Sequence, residues 1–251
     1  MMMMRARMAG LALAVGIGTM MSMRPAGAQQ TDVALVYRLL EEGRMVVTPP
    51  GAQAHPAQVG ERLRNGAEVL TGPSTRAALR FTDDASILRL NPNARVRLTS
   101  GNEQGVVVRT LNLEFGELWV RVNRQARTHL RVQTPAGVAA VKGTQFVVRV
   151  DSQGVTTVLT LEGVVEFFNE GGRVDLPAGR KVTAASQTDV PQAQPASAQE
   201  LHQAETVRGD EGGGAQGTWV AVQLRDANGQ TRTLMLQVPA DALRERLEGR
   251  P

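Results

Sequence analysis

Short stretches of alternating apolar and polar residues follow one another through the middle of this 251-residue chain, separated by Gly, Asn and Pro. One of them, Arg95-Val96-Arg97-Leu98, places cationic and apolar residues on opposite faces of an extended segment, as a half-buried strand requires. No helical period persists across this region, so the pattern predicts an all-β domain. The runs lie at residues 76–81, 86–90, 94–98, 105–113, 118–122, 129–132, 145–150 and 155–161.

Glycine at the start of several runs constrains the architecture further. Gly43, Gly116 and Gly163 each precede a short apolar stretch, which gives a weak internal repeat. Short strands of even spacing with glycine at the corners favour a rolled or solenoid-like sheet whose turns bury one shared core. A two-sheet sandwich has the same alternation, so both architectures remain open at this point.

The chain contains no cysteine. This excludes disulfide bonds, thiol catalysis, Cys-ligated zinc and lipid attachment through a lipobox cysteine. The fold therefore depends on its hydrophobic core alone.

A set of short motifs occurs in a fixed order over about residues 55 to 185. The motifs are Gly66-Ala67-Glu68-Val69-Leu70-Thr71-Gly72, a strand–turn–strand at 77–90, Phe115-Gly116-Glu117-Leu118-Trp119-Val120, Thr134-Pro135, Lys142-Gly143-Thr144, Leu161-Glu162-Gly163-Val164-Val165 and Leu176-Pro177-Ala178-Gly179. Together and in this order they resemble FecR-type domains. The resemblance implies a β-solenoid-like roll of the kind found in the periplasmic part of iron-uptake signalling proteins and in other exported proteins.

Lys142-Gly143-Thr144 stands where the family usually has Arg-Gly-Thr. One hypothesis makes Lys142 a contact for an anionic ligand. The preferred hypothesis gives Gly143 a backbone angle that only glycine tolerates, with the Thr144 hydroxyl bonding across a corner and Lys142 pointing outward. The family-motif residues are accordingly predicted to be structural, namely Thr71, Gly72, Thr134, Pro135, Lys142, Gly143, Thr144, Gly163 and Gly179.

Residues 1–28 have the pattern of a secretory signal peptide. Arg5 and Arg7 precede an apolar run from Met8 to Met23, and Ala26-Gly27-Ala28 is a small-residue cleavage site that would leave Gln29 as the mature N-terminus. The alternative is an uncleaved N-terminal anchor. Removing the three arginines of this segment lowers the formal charge from +4 to +1. A nearly neutral mature chain argues against nucleic-acid binding.

The C-terminal quarter of the chain differs in composition from the β domain predicted at 29–187. Residues 188–217 are rich in Gln, Ala, Pro, Ser and Gly, which predicts a flexible linker, with a short helical turn possible around 198–206. In the last part, 218–251, two alternating runs flank Asp226-Ala227-Asn228-Gly229 and predict a β-hairpin, followed by a short helix at 242–247. An isolated hairpin is marginal in water, so we expect it to dock on the roll or on a partner.

No catalytic, cofactor or metal site is predicted. The three histidines, His55, His129 and His202, are scattered and show no metal-ligand spacing. Asp83-Asp84 is expected to be a solvated turn rather than an acid–base pair or a calcium site. Trp119 and Trp219 are expected to be core or docking contacts.

These observations predict an exported, non-catalytic FecR-like module that binds protein in envelope signalling or assembly. A cell-wall or surface-glycan binding module is the second hypothesis and a hydrolase the third. We expect a periplasmic or secreted location, no cofactor, no nucleic-acid partner and no membrane span after signal cleavage. Full sensors of the family carry a cytoplasmic helical region and a membrane span ahead of the periplasmic part, so the resemblance implies the domain and not sigma-factor control or an iron-citrate pathway.

Overall fold

The computed structural model describes residues 31–40, 44–84, 86–123, 128–208, 217–225 and 231–239. The predicted signal peptide and the predicted terminal helix lie outside these residues. No helix within the described ranges is long and apolar enough to cross a membrane.

Nineteen strands and one helix form the described fold. The all-β prediction is confirmed. The strands are β1 (Asp32–Leu40), β2 (Met45–Thr48), β3 (His55–Pro56), β4 (Arg62–Arg64), β5 (Glu68–Thr71), β6 (Arg76–Phe81), β7 (Ile87–Leu90), β8 (Arg95–Glu103), β9 (Val106–Arg121), β10 (Thr128–Thr134), β11 (Gly137–Val141), β12 (Gln145–Val150), β13 (Thr156–Glu162), β14 (Val164–Asn169), β15 (Gly172–Pro177), β16 (Arg180–Ala184), β17 (Gln194–Pro195), β18 (Gly217–Arg225) and β19 (Thr231–Pro239), and the helix is α1 (Ala198–Arg208).

The long strand β9 joins two sheets into one continuous 17-stranded system. Its last residues pair with β7 and β12 in sheet A, which also contains β1, β4, β6, β13, β16 and β17. Its first part pairs with β8 and β10 in sheet B, which also contains β2, β3, β5, β11, β14 and β15. The β9–β10 pair is parallel, whereas the pairs of β9 with β8 and β12 are antiparallel.

Both sheets bury their inner faces in one hydrophobic core. Leu118 and Phe146 of sheet A belong to the same cluster as Leu98 and Val132 of sheet B. The chain passes repeatedly from one sheet to the other, as a roll does. The finer description as a solenoid stays a prediction, because the ladders described here are mostly antiparallel rather than stacked parallel turns.

Gly116 marks the point at which β9 leaves sheet B and enters sheet A. Its φ is +100°, a conformation that side chains other than glycine rarely adopt. A Cβ atom at this position would lie 2.4 Å from the Cα of Ala94. Glycine is therefore required both by the local backbone angle and by the close approach of the neighbouring chain.

The segment predicted as a flexible linker is partly regular structure. Strand β17 pairs with β16, and α1 follows it directly. Residues 194–208 are therefore not a flexible linker throughout. The helical turn allowed around 198–206 is part of α1, and these residues gain contacts with sheet A that their polar composition does not reveal. The remaining boundaries between the predicted domains stay predictions.

The C-terminal strands β18 and β19 form a separate two-stranded antiparallel sheet. Their pairing is the hairpin that the two alternating runs predicted. The turn residues 226–230 lie outside the described ranges.

Candidate functional site

The Lys142-Gly143-Thr144 motif forms a corner between β11 and β12. Gly143 has φ of +70°, as the structural hypothesis requires, and Lys142 is exposed. The hydrogen bond expected from the Thr144 hydroxyl is not observed, since its buried Oγ1 has no partner within the described part of the chain. The Thr144 methyl group faces Gly163 instead, and it is the Thr144 carbonyl that ties the corner, accepting a hydrogen bond from the Val122 N–H at 2.9 Å.

Replacing Gly143 by alanine is expected to lower the free energy of unfolding by about 1–2 kcal/mol, because alanine is strained at positive φ. Chemical denaturation of the purified protein measures this difference. Lys142→Ala at the exposed neighbouring position serves as the control and should be nearly neutral. Equal stability of Gly143→Ala and the wild type would contradict the argument from the corner.

Two other family-motif threonines tie turns together through their side chains. The Thr71 hydroxyl donates to the Asn91 carbonyl at 2.6 Å and accepts from the Ala94 N–H at 2.9 Å. The Thr134 hydroxyl donates to the Gly137 carbonyl at 2.8 Å and accepts from the Thr156 hydroxyl at 3.0 Å. These contacts favour a structural role for both residues.

The other four motif residues lie at turns as well. Gly72 approaches the backbone of Arg44, Pro135 lies against Gly154, and Gly163 and Gly179 have positive φ. The structure therefore distributes the predicted motif residues over several turns and does not gather them into one pocket.

Asp83 and Asp84 do not form a solvated turn, so that prediction is wrong. Both carboxylates pair with Arg109, whose side chain is only 1% exposed; the contact to Asp84 is 3.0 Å long. The Arg109 guanidinium also lies 4.4 Å from the centre of the Phe81 ring. The Asp84 carboxylate accepts a further hydrogen bond from the Ser86 N–H at 2.8 Å. The turn is thus drawn inward by a buried arginine.

Sequence reasoning missed Arg109, although the alternation of β9 contained the signal. Arg109 lies two and four residues before Leu111 and Leu113, so its side chain faces the same side of the strand as these two core residues. An arginine on the inner face of a strand must be paired to be tolerated there. The Asp83-Asp84 pair is the partner that this rule demands, so the cluster neutralises a buried cation at the edge of the core.

The outer face of sheet A carries a row of paired residues across five neighbouring strands, with three apolar residues in the middle and a cation at each end. The row consists of the directly paired residues Arg89, Trp119, Val147, Leu159 and Lys181. The three apolar members are buried, with Trp119 at 0% exposure, and Arg89 stacks over the Trp119 ring at 5.0 Å. Trp119 is therefore a docking contact, one of the two roles expected for it. The side chain of Trp219 lies outside the described residues.

Helix α1 provides the cover for this row. Ala204 is buried against Trp119, Val147 and Leu159, and Leu201 packs beside it. The helix begins with a capping box, in which the Ser197 N–H donates to Glu200 at 2.8 Å and the Glu200 N–H donates to the Ser197 hydroxyl at 3.2 Å. The other carboxylate oxygen of Glu200 pairs with Lys181 of sheet A.

These contacts favour the ionised form of Glu200. The hydrogen bond from Lys181, together with those from Ser197, lowers the pKa of Glu200 to about 2. A carboxyl group whose pKa is lowered by a contact stabilises that contact only while it is ionised. The docked state of α1 is thus coupled to the charge of one residue.

Acidification is expected to weaken the docking of α1. The contribution of Glu200 is fully present above its ordinary pKa of 4.5 and is lost as the pH falls towards about 2. In a Trp219→Phe background, Trp119 is the only tryptophan, so its emission should shift to the red over this pH range. The added change Glu200→Gln should remove this transition, whereas Glu205→Gln, an exposed position on the same helix, should keep it. An identical transition in all three proteins would contradict the assignment to Glu200.

The outer face of sheet B is open. Strands β10, β11 and β14 form an open cleft of about 390 Å³ on this face. Val164 is 51% exposed at its edge, and among the residues whose burial the structure describes only Val190 is another large apolar residue exposed to this degree. The cleft is lined by His129, Leu130, Arg131, Ala140, Val141, Lys142, Val164, Glu166, Phe168 and Arg173.

Cations surround this cleft. Arg131 pairs with Glu103 at 3.1 Å, and Arg173 pairs with Glu166 at 2.8 Å. Lys142 and His129 form no ion pair within the part of the chain that the structure describes. The face therefore combines exposed apolar surface with the positive charge of Lys142, which no carboxylate of the described residues pairs with.

The histidines stay apart in the structure. His55 lies in β3, where its Nε2 is 2.7 Å from the Glu61 carboxylate, and this hydrogen bond raises the pKa of His55. His129 borders the cleft on sheet B, and His202 is exposed on α1. Within the described ranges, no group of three His, Asp or Glu side chains could hold a metal ion.

Comparison with known structures finds two crystal structures, at 1.65 Å and 2.50 Å resolution, of a candidate anti-sigma factor from Parabacteroides distasonis ATCC 8503. Each is 18% identical in sequence and aligns over 54% of this chain and 62% of its own, with TM-scores of 0.46 and 0.45. This chain thus spans less than two thirds of their length. No curated protein matches it.

The comparison with protein families gives a match that coincides with the centre of the fold. Residues 67–166 match the family described as FecR protein. The matched region runs from just before β5 into β14 and includes the crossing strand β9 and the Lys142-Gly143-Thr144 corner. This match confirms the resemblance to FecR-type domains that the ordered motifs predicted, over residues 67–166.

Proposed function

We propose that this chain is an exported, non-catalytic FecR-type module that binds a protein partner in the cell envelope, in signalling or in assembly of the envelope. The FecR domain supports a regulatory role, and the signal-peptide pattern of residues 1–28 supports export. The proposal gives no catalytic role to the paired carboxylates, because Asp83 and Asp84 are committed to the buried Arg109.

The observation that carries this proposal is the open face of sheet B. An open apolar patch that is rimmed by polar residues is typical of protein-binding sites. Here Val164 and Phe168 line the same cleft as Lys142 and Arg131. A protein segment with apolar side chains flanked by Asp or Glu would match both the apolar surface and the charge of this face.

Capture of a partner should depend on Val164. The mature chain from Gln29 onward is used as bait in periplasmic extract, and bound proteins are identified by mass spectrometry. Val164→Glu places a carboxylate on the apolar part of the face and should reduce capture at least tenfold, since a desolvated like charge opposes an acidic partner. The matched control is Val190→Glu, which changes the other exposed large aliphatic residue, 69% exposed and outside the cleft.

Two results would overturn the proposal. One is equal capture by the wild type and by Val164→Glu. The other is hydrolysis of a peptidoglycan or ester substrate by the purified protein, with activity that is lost on substitution of a single carboxylate or histidine. Binding of soluble glycan in place of protein would favour the second hypothesis formed from the sequence.

A further inference from the structure

The outer face of sheet A offers more apolar surface than the helix that covers it. The sheet offers Trp119, Val147 and Leu159, which form one continuous apolar surface. Among the α1 side chains that the structure describes, up to Glu205, Ala204 is buried against this surface and Leu201 packs at its edge, while the helix sequence as a whole is largely polar. A helix that serves as a permanent part of a core presents a broad apolar stripe, and α1 does not.

The contact between helix and sheet is incompletely filled. A cavity of about 40 Å³ lies between Val147 and Leu159 of the sheet and Gln203 and Ala204 of the helix, and it is partly open to solvent on the side of the charged rim residues. A helix packed on the sheet at the density of a protein interior would leave no such space. The indole N–H of Trp119 is also buried without a hydrogen-bond acceptor in the described part of the chain. Buried donors without partners are rare in native structures. At this site a ligand could supply an acceptor for the Trp119 N–H and an apolar side chain for the cavity.

The polar contacts that help to hold α1 in place lie at the rim of this apolar contact. The Lys181–Glu200 ion pair is partly exposed, with 21% and 34% of the two side chains accessible. Partly exposed ion pairs contribute little free energy and exchange readily with other partners. Lys181 can therefore accept a carboxylate from another helix without rearrangement of the sheet.

We propose that α1 is a displaceable cover over a second protein-binding surface, formed by Trp119, Val147, Leu159 and Lys181. Its occupant after displacement is an amphipathic helix of a partner protein. That helix carries larger apolar side chains, which fill the cavity beside Ala204, and an Asp or Glu in its first turn, which pairs with Lys181. This surface is distinct from the open face of sheet B, so the two sites can be tested independently.

Hydrogen exchange on the full chain tests whether α1 opens. The amides of α1 should exchange through local opening. Their protection factors, the ratios of intrinsic to observed exchange rates, should be at least a hundredfold lower than those of β12 and β13. Glu200→Gln retains an acceptor for the capping box but removes the charge that pairs with Lys181. It should lower the protection of α1 about five-fold without changing that of the strands. Glu205→Gln, the same chemical change one turn further along, should have no effect.

A synthetic peptide tests whether the uncovered surface binds a helix. The probe is residues 194–208 with the changes Gln203→Leu and Ala204→Leu and an N-terminal dansyl group. Energy transfer from Trp119, measured in the Trp219→Phe chain, reports binding at this surface. Because the apparent affinity scales with the fraction of uncovered protein, Glu200→Gln should tighten binding about five-fold.

Three outcomes would overturn the proposal. They are protection of α1 equal to that of β12, a loss of strand protection together with that of α1 in Glu200→Gln, and peptide affinity that does not respond to Glu200→Gln. Each would show that α1 is a fixed part of the core and not a cover.

Discussion

Replacing Gly116 by alanine is expected to cost about 3 kcal/mol or more in the free energy of unfolding. Two independent penalties add at this position. Alanine at φ of +100° is strained by about 1–2 kcal/mol. Its Cβ would also lie 2.4 Å from the Ala94 Cα and 2.7 Å from the Asn93 carbonyl oxygen, and relieving such overpacking costs typically 1–3 kcal/mol. Both neighbours are backbone atoms, so no side chain can turn away to make room.

Gly101→Ala in β8 is the matched control for this experiment. Gly101 has no atom within 4 Å of its ideal Cβ position and is not among the glycines with positive φ. Its replacement should be neutral or slightly stabilising. Urea unfolding followed by circular dichroism compares the two variants. Similar midpoints for Gly116→Ala and Gly101→Ala would show that β9 can cross between the sheets without a glycine.

The alternation of side chains predicted the strands well because it depends on local chemistry. The run predicted at 76–81 is strand β6, and the run at 145–150 is β12. Every second residue of a strand faces the core and must be apolar, so each strand can be recognised from its own sequence. The separate runs at 105–113 and 118–122, by contrast, form parts of the single strand β9. Alternation cannot show that a strand continues through a bend, because the core-facing residues change there from odd-numbered to even-numbered positions.

Helix α1 could not be found from apolar periodicity, since it has almost none. Its position is fixed by Trp119 and Lys181, which are distant in sequence and lie side by side only after the sheet has formed. A local signal was present nonetheless. Ser197-Ala198-Gln199-Glu200 has the capping-box spacing, and the structure uses it as one. This capping box alone predicts a helix that begins after Ser197.

The candidate binding faces were less predictable than the fold. The cleft on sheet B brings Lys142 of the predicted motif next to Val164, which sequence reasoning noted only as part of a strand. Which side of a strand faces solvent follows from the alternation, but which exposed faces remain uncovered depends on where α1 comes to lie. That placement is a tertiary property.

The second large effect is expected at the buried ion cluster. Arg109→Met should destabilise the protein by about 3–5 kcal/mol, because it leaves the Asp83 and Asp84 carboxylates buried without a cation. The loss should be much greater than that from Arg131→Met, the same substitution in an exposed ion pair with Glu103, which should cost less than about 1 kcal/mol. Thermal and chemical unfolding of the two variants measure this difference.

The cause of the Arg109 effect can be separated from lost packing by adding Asp83→Asn and Asp84→Asn. The asparagine at position 84 retains an acceptor for the Ser86 N–H, so the local turn keeps its hydrogen bond. In the wild-type background, each Asp→Asn change removes a partner from Arg109 and should destabilise the protein. In the Arg109→Met background the same changes remove the unpaired buried charge, so the triple variant should be more stable than Arg109→Met alone. A triple variant that is less stable than Arg109→Met would show that Arg109 acts mainly by packing against Phe81 and not by compensating the two carboxylates.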